Sequence, residues 1–312
     1  MKRVLFVLVG LAWTAAWAAP VPSPAPVEHV VIFIVDGLRP DVALRADMPG
    51  LRSLVQEGAF TFWAKTTSVA ITLPSCTSAL TGVTPARHHV EWNRDQPPGQ
   101  QGYPAVPTVL ELATRAGRVT ALVAGKSKFA ALARPGTVTH VSIPKTAKCS
   151  DADVAAEAER IIRDARPALM CVHFPDGDAV GHAKGWGSPE QVAQYAETDR
   201  QLRRVLAALD QAGIRSSTVV IVTADHGGLG RTHGGEDPRS RSIPWIAAGP
   251  GVRPGYDLTR EGTLTVNTED TAATTCWLLG LKPTVELDGK PVLAAFTTAP
   301  KAETPAEPAP VH

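Results

Sequence analysis

The sequence lacks an excess of charge of either sign. It has 31 lysine and arginine residues against 30 aspartate and glutamate residues in 312. No basic stripe stands out, so we expect no surface that binds nucleic acid by neutralising phosphates. A small anionic substrate remains compatible with this balance, because a bound metal ion supplies positive charge locally.

Cysteine is also scarce. The four cysteines have no Cys-x-x-Cys spacing, so a cysteine metal site is not expected. Cys171 lies in an apolar run and Cys276 in a helical pattern, and we expect both to be buried apolar residues. The pairing of Cys149 stays open.

The N-terminus has the pattern of a secretory signal peptide. The basic pair Lys2-Arg3 precedes an apolar run over residues 4–13, and Ala16-Trp17-Ala18 fits a small-x-small cleavage site. A membrane anchor is the alternative, but the run is short for a span of about 20 residues. We therefore expect residues 1–18 to be removed, no membrane span afterwards, and export to the periplasm or the extracellular space.

The mature chain is expected to form one domain. Residues 19–29 are a Pro-rich linker, and residues 30–296 contain neither a further linker nor an internal repeat. Residues 297–312 are rich in Ala, Pro, Glu and Thr, a composition typical of a disordered tail.

Apolar runs alternate with helical patterns along this domain. Continuous apolar runs favour strands buried on both faces, and strand–helix alternation predicts a mostly parallel sheet with helices on both faces. The predicted strands are residues 30–35, 119–124, 168–174 and 218–222, and the predicted helices are residues 107–116, 151–165 and 189–212.

Acidic and imidazole side chains follow three of the predicted strands. Asp36 follows the first, Asp178 and His182 follow the third, and Asp225-His226 follows the fourth. Ligands of open α/β sheets bind outside the carboxyl ends of the strands, so these groups should converge at one edge. Taken singly, each has an ordinary alternative, such as an Asp-Gly turn at Asp36.

The residue types indicate two metal ions. Zinc accepts histidine nitrogen and carboxylate oxygen, and manganese accepts carboxylate-rich sites. Two ions about 4 Å apart would clamp the attacking and leaving oxygens of an in-line displacement. One set of ligands is Asp36, Asp225 and His226, and the other is Asp178, His182 and His233.

A threonine is the candidate nucleophile. Thr72 lies just before Pro74, where a helix start is expected, and helix N-termini favour anions. Coordination to a metal would make its alkoxide available near neutral pH. An ordinary helix cap is the alternative, and the residues alone leave other hydroxyls open: those of Thr66, Thr67, Ser68 and Ser75.

Two lysines follow the second predicted strand at the same edge. Lys126 and Lys128 would bind a phosphate or carboxylate as point charges, or else begin a solvated helix.

Together, these motifs resemble the alkaline phosphatase superfamily, and most closely its nucleotide pyrophosphatase/phosphodiesterase branch. The resemblance covers about residues 30–281. It is carried by Val35-Asp36-Gly37, Thr72-Leu73-Pro74-Ser75, Asp178-x-x-x-His182, Asp225-His226-Gly227 and His233-Gly234.

The resemblance implies two zinc ions and a phospho-threonine intermediate on Thr72. Phosphonate- and monoester-cleaving members carry lysines similar to Lys126 and Lys128, so the resemblance also favours a small, doubly charged phosphorylated substrate. It assigns Thr72 to the first ligand set and Asn93 to a phosphoryl oxygen, with a simple turn as the alternative for Asn93. The sequence departs from the family where His233 follows His226 by only seven residues, which implies a more open or differently walled substrate pocket. It also departs at Leu73 and His173, which match a base-stacking aromatic pair, so a nucleotide substrate is disfavoured.

Other hypotheses fit the sequence less well. A sulfatase-like enzyme needs a Cys or Ser in place of Thr72, and phosphoryl-group transferases of this fold usually carry several membrane spans. A phosphonate-cleaving enzyme of the same superfamily and a non-catalytic metal- or phosphate-binding protein are the remaining alternatives.

Overall fold

The computed structural model of the chain describes residues 27–94, 102–146 and 148–297. Residues 1–18, the expected signal peptide, lie outside these ranges, as do most of the linker 19–29 and the tail from residue 298. Within the described ranges, no helix is long and apolar enough to cross a membrane.

One mostly parallel sheet forms the centre of the described chain. Its strands are β1 (His29–Val35), β2 (Ala59–Lys65), β3 (Thr120–Ala124), β4 (His140–Ser142), β5 (Leu169–Phe174), β6 (Thr218–Thr223), β7 (Ser242–Ala248) and β8 (Tyr256–Asp257). Their order is β4-β3-β5-β1-β6-β7-β2-β8. Strand β7 pairs antiparallel with both β6 and β2, and the other pairs are parallel.

Helices cover both faces of this sheet. They are α1 (Pro40–Arg45), α2 (Pro49–Glu57), α3 (Thr72–Thr81), α4 (Pro85–His88), α5 (Val109–Arg115), α6 (Asp151–Ala165), α7 (Asp176–Lys184), α8 (Pro189–Gln211), α9 (Pro238–Arg241) and α10 (Asp270–Leu279). Helices α1, α2, α6 and α7 pack around α8, while α3, α5 and α10 pack together in the other layer. Short 3-10 segments span Ser127–Leu132, Arg215–Ser217, Leu258–Arg260 and Leu293–Ala295.

The α/β fold class predicted from the sequence is confirmed. The four predicted strands are β1, β3, β5 and β6, with ends that differ by at most one residue. The predicted helices are α5, α6 and α8. The sequence analysis assigned no strand to β2, β4, β7 or β8, which form the two sides of the sheet.

The register of the central strands aligns their carboxyl ends. Val35 of β1 pairs with Phe174 of β5, and Ile34 of β1 pairs with Thr223 of β6. Ala124 of β3 pairs with His173 of β5. The segments that follow β1, β3, β5 and β6 therefore start at one edge, as the strand-end argument predicts.

Candidate active site

The first predicted ligand set comes together where β1 and β6 end. The ligand atoms of Asp36, Asp225 and His226 all lie within 4.8 Å of one another. Nε2 of His226 is 3.4 Å from Oδ1 of Asp36 and 3.3 Å from Oδ2 of Asp225. Oγ1 of Thr72, the first residue of α3, lies 3.3 Å from the same nitrogen. The hydroxyl predicted to be the nucleophile therefore lies beside this set.

The second predicted set adjoins the first. Oδ1 of Asp178 in α7 is 3.3 Å from Nε2 of His182 and 3.7 Å from Nε2 of His233. The ring of His233 stacks on that of His226, with centroids 3.6 Å apart and an interplanar angle of 9°. The ligand atoms of Asp178, His226 and His233 also lie within 4.8 Å of one another, so His226 stands between the two sets.

Backbone carbonyl groups fix the tautomer of the three histidines. The Nδ1 atoms of His182, His226 and His233 lie within 3.0 Å of the carbonyl oxygens of Arg231, Gly227 and Ala70 respectively. A carbonyl oxygen only accepts, so each Nδ1 carries the proton and each neutral ring presents a lone pair at Nε2. Histidines that bind metals in proteins usually donate the other ring N–H in this way.

Three buried carboxylate oxygens at the centre have no hydrogen-bond partner in the described structure. They are Oδ1 of Asp36, Oδ1 of Asp178 and Oδ2 of Asp225. Buried polar atoms normally have partners, so an unpaired oxygen of this kind asks for an explanation. Each faces a histidine Nε2 at 3.3–3.4 Å. Two ligands of a tetrahedral zinc ion, with bonds of about 2.0–2.1 Å, lie roughly 3.3 Å apart. The donors present thus fit divalent cations.

Burial and neighbouring charges shift the pKa values of the histidines and carboxylates of the centre in both directions, and Asp178 raises the pKa of His182. Burial lowers the pKa of His226, and burial together with His226 lowers the pKa of His233 to about 4. Burial alone would raise the pKa of Asp36, but Lys126 and His173 hold it well below its usual value. Burial and the nearby Asp36 raise the pKa of Asp225 well above its usual value, which is the cost of crowding carboxylates together.

The three residues predicted to bind substrate lie at the same edge and contact protein groups. Oδ1 of Asn93 accepts hydrogen bonds from the Leu73 backbone N–H at 2.9 Å and from Nζ of Lys128 at 3.2 Å. Nζ of Lys126 lies 2.6 Å from Oδ2 of Asp36 and 2.6 Å from Oδ2 of Asp178. Their binding of a substrate stays a prediction.

The structure also places three residues at the centre that the sequence analysis did not predict to lie beside the metal-binding residues. His173 and Leu73, which match the base-stacking pair, are both fully buried, and Nε2 of His173 lies 3.0 Å from Oδ2 of Asp36. Neither side chain offers a face to a nucleobase. Trp186 packs against the three histidines, with ring centroids 5.2–6.4 Å from theirs. The sequence analysis missed Trp186, and its position four residues after His182 is the signal that could have found it.

A cysteine also lies close to the centre. Cys76, His173 and Asp225 bring ligand atoms within 4.8 Å of one another. Burial raises the pKa of the Cys76 thiol well above its usual value, which favours the thiol over the thiolate that metals bind. All four cysteines are free thiols, so Cys149 forms no disulfide.

The structure thus brings together, at the carboxyl edge of the sheet, the Asp, His and Thr residues on which the resemblance to the alkaline phosphatase superfamily rests. The sequence model of one of its families, "Type I phosphodiesterase / nucleotide pyrophosphatase", matches residues 30–230. That is more than half of the 312 residues, and the chain belongs to this family.

Individual relatives are more distant. Murine ectonucleotide pyrophosphatase/phosphodiesterase 5, solved as an inactive variant in complex with AMP, is 14% identical with a TM-score of 0.73, over 86% of this chain and 100% of that one. The phosphonate monoester hydrolase of Agrobacterium radiobacter is 17% identical with a TM-score of 0.65, over 89% and 78%. Alkaline phosphatase PhoD of Zymomonas mobilis is 44% identical over 62 residues, 20% of this chain and 10% of that relative's length.

Proposed function

We propose that the chain is an exported two-metal hydrolase that cleaves phosphate esters through a phospho-threonine intermediate on Thr72. The observation that carries this proposal is the geometry around Nε2 of His226. Two buried carboxylate oxygens and the Thr72 hydroxyl lie 3.3–3.4 Å from this nitrogen and its lone pair. Without a cation between them, the lone pair and the anionic oxygens would repel one another.

The residues would divide as the sequence analysis predicts. Asp36, Asp225, His226 and Thr72 would hold one cation, and Asp178, His182 and His233 would hold the other. The second set has three protein ligands, which leaves a position open, as in catalytic zinc sites. When bound, two Zn²⁺ ions, or Mn²⁺ in their place, would favour the deprotonated Thr72 hydroxyl and offset the charge of the phosphoryl group.

The chemistry then takes two displacements at phosphorus. Oγ1 of Thr72 attacks, a Thr72–phosphorus bond forms, and the ester oxygen leaves with its electron pair. Water then attacks the phospho-threonine, so that inorganic phosphate or a phosphomonoester is released and the threonine hydroxyl is restored. Asn93 is held by Leu73 and Lys128 through its oxygen, an orientation that turns its amide N–H groups away from them. We infer that these N–H groups donate to a phosphoryl oxygen.

A small substrate suits this pocket better than a nucleotide does. Leu73 and His173 are buried and cannot stack on a base. A phosphonate ester is the second candidate, favoured by the likeness to phosphonate monoester hydrolase. Export rests on the pattern of residues 1–18.

The test is hydrolysis of a chromogenic phosphomonoester, phosphodiester and phosphonate ester by the mature protein, with chelator and with added zinc. We expect zinc to restore turnover, Thr72→Ala to abolish it, and Thr72→Ser to retain part of it. Ser75→Ala is the matched control, because Ser75 lies on the same helix and its hydroxyl bonds to that of Thr67 instead.

Acid quenching during turnover should leave a phosphoryl group on the Thr72 peptide of the active protein. A variant Thr72→Ala that still turns over, or a phosphoryl group found on Ser75, would overturn the assignment. Bound zinc without turnover on any of the three esters would instead favour a non-catalytic binding protein.

A further inference from the structure

The side chain of Lys126 lies inside the centre. Its backbone is fixed because Gly125 bonds to His173 on one side and to Cys149 on the other. Only 12% of the side chain is exposed, and Nζ makes two ion pairs of 2.6 Å, with Oδ2 of Asp36 and with Oδ2 of Asp178. The ammonium group is therefore directed at protein carboxylates and is largely withdrawn from solvent.

These two carboxylates belong to different ligand sets. Asp36 belongs to the set around His226, and Asp178 belongs to the set with His182 and His233. In both carboxylates Lys126 contacts Oδ2, while Oδ1 faces histidine nitrogen and has no hydrogen-bond partner. One ammonium group thus bridges the two sets and leaves Oδ1 of each carboxylate for a cation.

The charges explain why such a group is needed. Asp36, Asp178 and Asp225 are at most 4% exposed, and isolated buried carboxylates are costly. Among the ion pairs of the described residues, Lys126 supplies the one permanent positive charge that reaches Asp36 or Asp178.

We propose that Lys126 is a positioning residue: it bridges the two ligand sets and serves as their internal counter-cation, in place of the substrate-binding role that its sequence position indicates. This inference rests on the ligand sets of the proposed function. Lysine suits the role because its ammonium group is compact and has three donors for two carboxylates.

The test is thermal unfolding of Lys126→Met at pH 8 in excess chelator. Removal of one partner of a buried ion pair is strongly destabilising, and we expect Tm to fall by about 10 °C. Lys148→Met is the matched control, because Lys148 pairs with Asp176 at 2.7 Å at the same edge while its side chain is 43% exposed. Its Tm should change by about 2 °C or less.

Two further variants cover a failure of Lys126→Met to fold. Lys126→Arg keeps the positive charge and should retain most of the wild-type Tm. In the background of Asp178→Asn, one carboxylate no longer needs a counter-ion. There, Lys126→Met should lower Tm by about half as much as it does in the wild-type background, or less.

A substrate-binding lysine would behave differently. An unchanged or higher Tm for Lys126→Met in chelator, with a raised KM for esters and unchanged zinc stoichiometry, would overturn the proposal. The chelator measurement needs neither zinc nor turnover, so it separates this inference from the proposed activity. If Lys126→Met loses stability but zinc raises Tm of neither protein, the counter-cation role stands and the metal assignment fails.

Discussion

Substitution of Trp186 should weaken metal binding as well as stability. The residue lies two positions beyond α7, is 7% exposed, and donates from Nε1 to the carbonyl oxygen of Gly37 at 2.9 Å. Its ring packs edge-on against His182 and His233, with centroids 5.2 and 5.7 Å away. One side chain therefore supports the turn that carries Asp36 and the histidines of the second ligand set.

The expected magnitudes follow from these contacts. Trp186→Phe removes one buried hydrogen bond and leaves a carbonyl unpaired, at a cost of about 1–3 kcal/mol, or roughly 2–10 °C in Tm. Trp186→Ala also leaves a cavity and should cost about 3–5 kcal/mol. Since it frees the histidine rings to turn, we expect zinc affinity to fall roughly tenfold or more, as when the outer partners of metal ligands are lost.

The assay is zinc titration against a competing chelator, with thermal unfolding in parallel. Trp245→Phe and Trp245→Ala are the matched controls, because Trp245 is fully buried in β7 and donates from Nε1 to Thr271 at 3.2 Å. They should lower Tm comparably and leave zinc affinity unchanged. Equal zinc affinity in Trp186→Ala and wild type, despite a lower Tm, would refute the reasoning.

Two further substitutions test the burial of charge and the packing around this centre. Burial raises the pKa of Asp151 to about 7, so the folded state holds a proton that the unfolded chain has already lost, and stability falls as pH rises from about 4 to 7. Asp151→Asn should abolish that fall and raise the free energy of unfolding by at most about 4 kcal/mol at pH 8. Urea unfolding at pH 5 and pH 8 measures both effects, and a variant that keeps the wild-type pH dependence would contradict the prediction. Gly228→Ala would place its Cβ 2.3 Å from Cε2 of Trp186, and we expect a loss of about 1–3 kcal/mol together with weaker zinc binding. Gly262→Ala, with no heavy atom within 4 Å, is its control, and equal stabilities would show that the ring moves aside freely.

The strands that the sequence predicts well are those buried on both faces along nearly their whole length. Strands β1, β3, β5 and β6 are buried at nearly every position, and a continuous apolar run is sufficient to identify them. Strand β2 alternates between buried and partly exposed residues, and only its pairing with β7 and β8 defines it.

Strand β7 was missed for a different reason. It is fully buried, yet Pro244 stands in its middle, where the missing N–H argues against a central strand. The structure accommodates the proline where the ladder is already irregular. The register with β2 shifts between Thr61 and Ala64, opposite residues 243–245, and the Pro244 carbonyl accepts a hydrogen bond from the Thr223 hydroxyl.

At the site, the sequence indicated which residues converge but not how they are held. The strand-end rule brings Asp36, Asp225 and Asp178 to one edge because it needs only strand order. The contacts of Lys126 and Trp186 depend on side-chain directions across four separate segments, which neither periodicity nor motif spacing specifies. Their roles could therefore be inferred only from the interatomic distances in the structure.

The short segment between His226 and His233 has a structural consequence that the sequence analysis did not foresee. Leu229 and Thr232 exchange two backbone hydrogen bonds around a turn at Gly230, whose φ is +53°, and this turn folds His233 back onto His226. The returning chain then bonds to the loop before Thr72: the Gly235 N–H donates to the Val69 carbonyl, and Nδ1 of His233 donates to that of Ala70. The second ligand set is therefore fastened to the loop that positions the nucleophile. Only six residues separate His226 from His233, which is too few for one ligand set to move without the other. A change in this segment should therefore alter the distances from Thr72 to both sets together.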